Sequence, residues 1–138
     1  MSTSAPRALV TGAAKRLGRA MALSLAERGF DVAVHYAGSA TEARQTVSDI
    51  AALGRRAVAL QADLLVEDQT QALLPDAASA LGGPITVLVN NASIFEYDSI
   101  GTATRDSWDR HLESNLRAPF VLTQALAAQV PEPLTDAM

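Results

Sequence analysis

Eight residues near the start of the chain, Thr11-Gly-Ala-Ala-Lys-Arg-Leu-Gly18, carry the first chemical signal. Two glycines this close together, Gly12 and Gly18, let a backbone approach a pyrophosphate, and a helix opening between them would turn its positive end toward that anion. The same pair also suits a tight turn followed by close helix–strand packing, and the loop alone does not choose. The next informative position lies about 20 residues further on, where a site for a dinucleotide with a free ribose 2′-hydroxyl carries an Asp or Glu. Here that stretch reads His35-Tyr36-Ala37-Gly38, and the first acid is Glu42. With Lys15 and Arg16 in the facing loop, a missing carboxylate and an added guanidinium suit a 2′-phosphate, which Arg can hold through two parallel hydrogen bonds. Ser39 could donate to the same phosphate or cap the next helix with Glu42 as its box partner, and the two roles do not exclude each other. Together these residues favour NADP(H) over NAD(H).

Two further groups are placed to serve such a ligand. Asp63 suits a hydrogen bond to an adenine edge, or equally a cap on the following helix. Asn90-Asn91-Ala92-Ser93 offers small polar residues that would let a ribose pass close to the backbone, or an Asx turn closing a strand. His35 and His111 are isolated, fit no metal spacing, and read as a loop and a helix-surface histidine.

Alternating strands and helices must position these residues. Arg7-Ala-Leu-Val-Thr11 is a short apolar run halted by Gly12, as a buried parallel strand entering a loop would be. A helix over 17–28, with Leu17, Met21 and Leu25 as its apolar stripe, ends at Gly29. Asp31–Tyr36 reads as the second strand, and Ala43, Val47 and Ile50 as the inner stripe of a helix ending at Gly54. Arg56–Gln61 is the third strand. A helix over 67–81 follows, in which Pro75 must kink the helix or break it. Ile85–Val89 is the fourth strand. A last helical pattern runs over about 107–129 with Pro119 inside it. Its second half is apolar nearly all round (Leu116, Phe120, Val121, Leu122, Leu126), which implies burial on two faces. Residues 131–138 read as an irregular C-terminal loop. Four strands alternating with helices predict an α/β, Rossmann-type doubly wound parallel sheet.

Composition agrees and excludes other classes. Of the 138 residues, 49 % are apolar and 19 % charged, which excludes a disordered polymer, while aromatics at 4 % leave an alanine- and aliphatic-rich core. There is no cysteine, so neither a disulfide framework nor a thiolate metal site is available. A net charge of −4 gives no electrostatic footprint for nucleic acid or an anionic membrane. No apolar run has the roughly 18 residues a bilayer span needs, and the first residues do not read as a signal peptide, so a cytoplasmic protein is expected.

In order and spacing across essentially the whole chain, Thr11-Gly12 with Gly18, Ala62-Asp63-Leu64, Asn90-Asn91-Ala92 and Asn115 resemble the short-chain dehydrogenases/reductases. Arg16 stands where that family usually has a middle glycine, and Ser93 where its Asn-Asn-Ala-Gly motif ends. Both departures resemble the pteridine-reductase branch, in which the arginine goes with NADPH use. The resemblance assigns Arg16, Leu17, Tyr36 and Ser39 to the 2′-phosphate end, Asp63 and Leu64 to adenine, and Asn91, Ala92 and Ser93 to the ribose and nicotinamide. Phe95 matches a phenylalanine that stacks on the pterin, or it is a loop aromatic folding back on the core. Asn115 matches the asparagine that supports a catalytic lysine through a water.

The family's Tyr-x-x-x-Lys proton-donor pair has no match. Neither Tyr36 nor Tyr97 has a lysine four residues on, and Lys15 is the only lysine. The expectation is therefore the N-terminal half of an NADPH-dependent reductase, residues 1–138 being the NADP-binding portion of a larger domain and inactive alone. The resemblance also implies a homo-oligomer, dimer or tetramer, through the last helix. The alternative is a non-catalytic NADP(H)-binding or redox-sensing module complete at this length. A receiver-type signalling domain would need an acidic cluster at the ends of strands one and three, where only Asp63 is present.

Overall fold

The computed structural model describes residues 4–131. Short apolar runs of β-branched and small residues form four parallel strands: β1 (Arg7–Val10), β2 (Asp31–Tyr36), β3 (Ala57–Gln61) and β4 (Val87–Val89). Their order is β3-β2-β1-β4, with Leu9 opposite Ala33 on one side and Leu88 on the other. The chain thus builds outward from β1 through β2 to β3, then returns to the far side of β1. The crevice at this reversal is where open α/β sheets take ligands.

Strand alternation divides the core in two. Val10, Val32 and Val34 face α1 (Arg16–Glu27) and α2 (Ala40–Ala52), meeting Ala22, Ala26, Ala43 and Ile50. Leu9 and Ala33 face the other way, toward Leu73, Leu74, Ala77 and Leu81 of α3 (Glu67–Leu81) and Leu122 of α5 (Ala118–Gln129). The expected doubly wound α/β sheet is therefore present. Among the described residues no helix is long and apolar enough to cross a membrane.

Several local expectations are corrected. The buried stripe of α1 is Gly18, Ala22 and Ala26, while Leu17 is exposed. Small residues let the helix approach the sheet, and the larger Leu23 and Leu25 pack beside the contact. On α2 Ala43 and Ile50 are buried and Val47 packs partly buried against the same cluster, as expected, and Thr46 joins them because its hydroxyl finds the Ala14 carbonyl at 3.0 Å. Ser39 is the N-cap residue of α2 by position, but its side chain makes no capping bond. The fourth strand starts at Val87. Ile85 is buried, but its N–H and C=O are both bonded to the Gln129 side-chain amide, at 2.8 and 2.6 Å.

The two prolines behave differently. Helix α3 runs through Pro75, which is exposed, so the carbonyl left without a donor can be hydrated. The last helical stretch is not one element. It divides into α4 (Arg105–Leu112), a π-helical turn (Glu113–Arg117) and α5, with Pro119 in the first turn of α5, where a missing N–H is least costly. Its apolar girth is also resolved: Ala118, Val121 and Leu122 are buried, whereas Leu116 and Phe120 lie on the outer face. The expected loop at 131–138 lies, past residue 131, outside the described residues.

Because Pro75 occupies the middle of an otherwise regular, exposed helix turn, Pro75→Ala should stabilise the fold by about 1–3 kcal/mol in urea unfolding. An unchanged or lower midpoint would show that α3 is bent there to fit the sheet.

Candidate functional site

The loops following all four strands emerge at one edge of the sheet, and the Thr11 hydroxyl joins two of them. It donates to the Val89 carbonyl at 3.3 Å and accepts from the backbone N–H groups of Asn91 and Ala92 at 3.0 and 2.9 Å. From the other side, the Asn91 amide nitrogen donates to the carbonyls of Thr11 and Gly12, both at 3.1 Å. Asn91 therefore binds across to the first loop and does not close an Asx turn. The two glycines follow from this arrangement. Gly12 has φ +62°, and a Cβ there would lie 3.1 Å from the Ala92 Cα. A Cβ on Gly18 would sit 2.0 Å from the Gly12 oxygen, so the first turn of α1 rests directly on the loop.

His35 joins the first of these loops to the one after β3. It is 2 % exposed and lies in β2, as the strand reading over Asp31–Tyr36 expects and unlike the loop histidine that its isolation suggests. Gly12 N–H donates to Nδ1 at 3.0 Å, and Nε2 lies 2.9 Å from the Ala62 carbonyl. A backbone N–H can only donate and a carbonyl can only accept, so the ring is neutral with its proton on Nε2. Burial lowers its pKa below the ordinary 6.5, against the opposing bond to Ala62. Sequence reasoning missed this residue, and the Thr11 hydroxyl with it. The available signal was a polar side chain closing the apolar run Asp31-Val-Ala-Val-His35.

The start of α1 carries neither a side-chain cap at its N-cap residue Lys15 nor an acid in its first turn, whereas α2, α3 and α4 all have an acid there. Arg16 sits in the left-handed region at φ +56°, where the side chain of a non-glycine residue costs roughly 1–2 kcal/mol. It is exposed, as is Leu17. Across the loop lie the half-buried Tyr36 and Ser39 and the exposed Gly38. Gln61 steadies the turn between them by donating to the Ala37 carbonyl at 2.9 Å.

A cleft of about 620 Å³ runs on from there, lined by His35, Gly38, Asp63, Leu64, Ala92 and Ser93. Asp63 does not cap α3, whose N-cap residue is Val66. Its carboxylate accepts from Leu65 N–H, and its own N–H donates to Gln69. The cleft thus brings together Asp63 and Leu64, expected at the adenine, with Ala92 and Ser93, expected at the ribose. Asn91, Arg16, Leu17, Tyr36 and Ser39 are not among its lining residues. A larger hollow of about 840 Å³ on the outer face of α4 and α5 lies among Leu112, Leu116 and Phe120 and holds none of those expected residues.

The loop leaving β4 is fastened to the last helices. Asn115, in the π-helical turn, accepts from Ile94 N–H and donates to its carbonyl, both at 2.9 Å. Pro119 can give no N–H to the Asn115 carbonyl four residues before it. His111 is half-buried. It donates from Nδ1 to the Ser107 carbonyl and accepts Glu96 N–H at Nε2. Arg110 binds Glu96 at 2.7 Å and holds its carboxyl below the usual range, and hydroxyls from Ser107 and Thr102 do the same for Asp98. Phe95, 85 % exposed, projects from this loop and does not fold back on the core.

The short chain dehydrogenase family model matches residues 6–133. The 3-oxoacyl-[acyl-carrier-protein] reductase FabG of Staphylococcus epidermidis is 37 % identical over 123 residues, which cover 89 % of this chain and 50 % of the relative. A crystal structure of a short chain dehydrogenase from Burkholderia cenocepacia in complex with NADP superposes with a TM-score of 0.88 at 42 % identity, over 92 % of this chain and 51 % of the other. FolM alternative dihydrofolate reductase 1 from Brucella suis, in complex with NADP, gives 0.86 at 37 % identity, over 92 % and 52 %. The chain spans about half the length of the curated relatives it matches.

Thr11→Val keeps the shape of the side chain but removes three hydrogen bonds. It should destabilise the fold by about 1–3 kcal/mol, and Gly18→Ala, which forces α1 off the loop, by at least ~3 kcal/mol. Urea unfolding measures both; wild-type stability in either variant would show that the two loops are not held together this way.

Proposed function

The chain belongs to the short-chain dehydrogenase family, and from that membership we propose that its residues build the NADP(H) cradle and one wall of the substrate pocket of a reductase. Arg16 carries the reading. It holds a left-handed position that glycine would occupy without strain, beside an uncapped helix N-terminus and opposite a β2 end with no carboxylate. A guanidinium kept at such a conformational cost makes physical sense if it binds a dianion, and the 2′-phosphate is the dianion that distinguishes NADP(H) from NAD(H). The NADP complexes of the similar Burkholderia and Brucella proteins support the same choice.

In this proposal the backbone at Gly12 and Gly18 and the first turn of α1 receive the pyrophosphate. Arg16, Leu17, Tyr36 and Ser39 surround the 2′-phosphate end, Asp63 and Leu64 the adenine, and Asn91, Ala92 and Ser93 the ribose and nicotinamide. The bound nicotinamide would supply a hydride to the substrate. Asn91 acts mainly by fixing the backbone that the cofactor lies against, since its amide N–H groups already hold the first loop. Asn115 fixes Ile94, one residue from Phe95, and so aims the substrate loop while leaving its own carbonyl without an α-helical donor. No Tyr-x-x-x-Lys pair occurs in the sequence, so the proton donor is not among these residues.

The substrate class we propose is a pterin-like ring or another planar carbonyl or imine compound. The support is Phe95, an exposed aromatic face on a fastened loop, together with the likeness to the Brucella alternative dihydrofolate reductase. The outer face of α4 and α5, with Leu116 and Phe120 exposed, supports association with a second copy of the chain.

Arg16→Ala should weaken NADPH binding roughly 10- to 150-fold while leaving NADH nearly unchanged. Fluorescence titration of the reduced cofactors measures this, and equal losses for both would show that Arg16 does not read the 2′-phosphate. Phe95→Ala should raise the KM for a dihydropterin several-fold, and an unaltered KM would remove Phe95 from the pocket. The 138-residue chain by itself should bind NADPH without oxidising it in the presence of a dihydropterin; measurable turnover would place a proton donor within it.

A further inference from the structure

We propose that His35 is a positioning residue for the dinucleotide site. As the neutral, Nε2-protonated ring it sets the glycine loop in its receiving shape, and protonation of the ring releases that loop. The inference rests on the NADP(H) reading above and deepens it.

Three observations carry it. The ring lies between two loops 50 positions apart in sequence, accepting from Gly12 N–H and donating to the Ala62 carbonyl. The backbone of the same residue also holds the glycine loop, since Ala13 N–H donates to the His35 carbonyl at 2.9 Å. Gly12 itself has no slack, because its carbonyl is held by Asn91 and lies against Gly18. A second ring proton on Nδ1 would therefore point a donor at a donor inside a 2 % exposed site. Either the ring or the Gly12 peptide must move, and the Gly12 peptide is part of the floor on which the pyrophosphate would rest.

Among the described residues no carboxylate bonds to the ring, whose partners are the Gly12 N–H and the Ala62 carbonyl. The titratable side chains on the adjoining segments are Lys15 and Arg16 of the glycine loop, Tyr36 of β2 itself, Asp63 after β3, and Glu67, Asp68 and Asp76 of α3, which packs on the same face of the sheet and whose Glu67 is paired with Arg117. Lys15 and Arg16 are cationic, and the Asp63 carboxylate accepts from Leu65 N–H instead of the ring. Burial thus holds the ring neutral at physiological pH. The sign follows from linkage. The folded ring takes its proton only below the ordinary 6.5, so the unfolded or loop-open form binds it first. The closed loop is favoured fully above that value and progressively lost as pH falls through the lower, folded-state pKa.

The test uses the intact protein and oxidised NADP⁺, which tolerates acid, titrated calorimetrically from pH 8 to 5.5. The 2′-phosphate itself titrates near pH ~6, so wild type is compared with His35→Gln, in which that contribution is unchanged. At pH 7.5 the variant should bind about 3- to 10-fold more weakly, as for the loss of one hydrogen bond. Below pH 6.5 wild type should lose affinity more steeply than the variant. Parallel pH profiles, or equal affinity at pH 7.5, would overturn the proposal. Should the variant not fold, nitrogen-15 spectra of the unliganded wild type decide. A proton on Nε2 at pH 7.5, with Gly12 amide protection falling as the ring titrates, supports the role. A proton on Nδ1, or protection indifferent to ring protonation, overturns it. If those spectra are as expected and NADP⁺ still fails to bind at pH 7.5, the loop-positioning role stands and the cofactor assignment falls.

Discussion

The Thr11 hydroxyl, with the Asn91 amide answering it from the other side, is the contact on which the carboxyl edge of the sheet depends. Parallel strands pair through their backbones only as far as Val10 and Val89. Beyond that point two loops must run side by side without a ladder, and their N–H and C=O groups would be left unmet in a partly buried crevice. One hydroxyl with a single donor and two acceptances, and one amide with two donations, meet most of that need. The approach becomes so close that neither Gly12 nor Gly18 can carry a Cβ without moving its neighbours. The close approach of the two loops by itself requires both glycines.

Within that tight loop Arg16 is the one strained residue. It is the only non-glycine residue with positive φ among those described. A strained charged residue at a helix N-terminus without capping side chain or acid puts local electrostatics ahead of local stability, as functional sites commonly do. The remainder of α1 is built to hold it still. Small residues seat the helix on the sheet, and Arg19 reaches Thr46 and Asp49 of α2.

The loop leaving β4 is organised by a different device. The loop after β4 has no strand partner, so it is held by side chains: Asn115 on Ile94, His111 on Glu96 N–H, and Arg110 on the Glu96 carboxylate. All three come from a helix interrupted by a π-helical turn. The extra residue in that turn lets Asn115 face the loop while Val121 and Leu122 still face the sheet.

Much of this was legible in the residue order. The alternation of short apolar runs with 3.6-period helices determined the α/β layering, and the missing acid after His35 with Arg16 opposite determined the cofactor-side reading, because both depend on neighbours in sequence. Helix ends at Gly29 and Gly54 were legible for the same reason. Other features depend on which distant groups meet, and only the tertiary structure decided them. Leu17 could be placed inside by periodicity, but the close contact of Gly18 with Gly12 turns it outward. Pro119 was visible, yet not that a π-helical turn would precede it. His35 looked like an isolated loop residue because its partners, Gly12 and Ala62, lie 23 positions before it and 27 after. A hydrogen bond fixes a side chain's role only once both ends are in place. The sequence therefore determined which elements form and what charge they carry to the site, and tertiary contact decided which polar groups hold that site together.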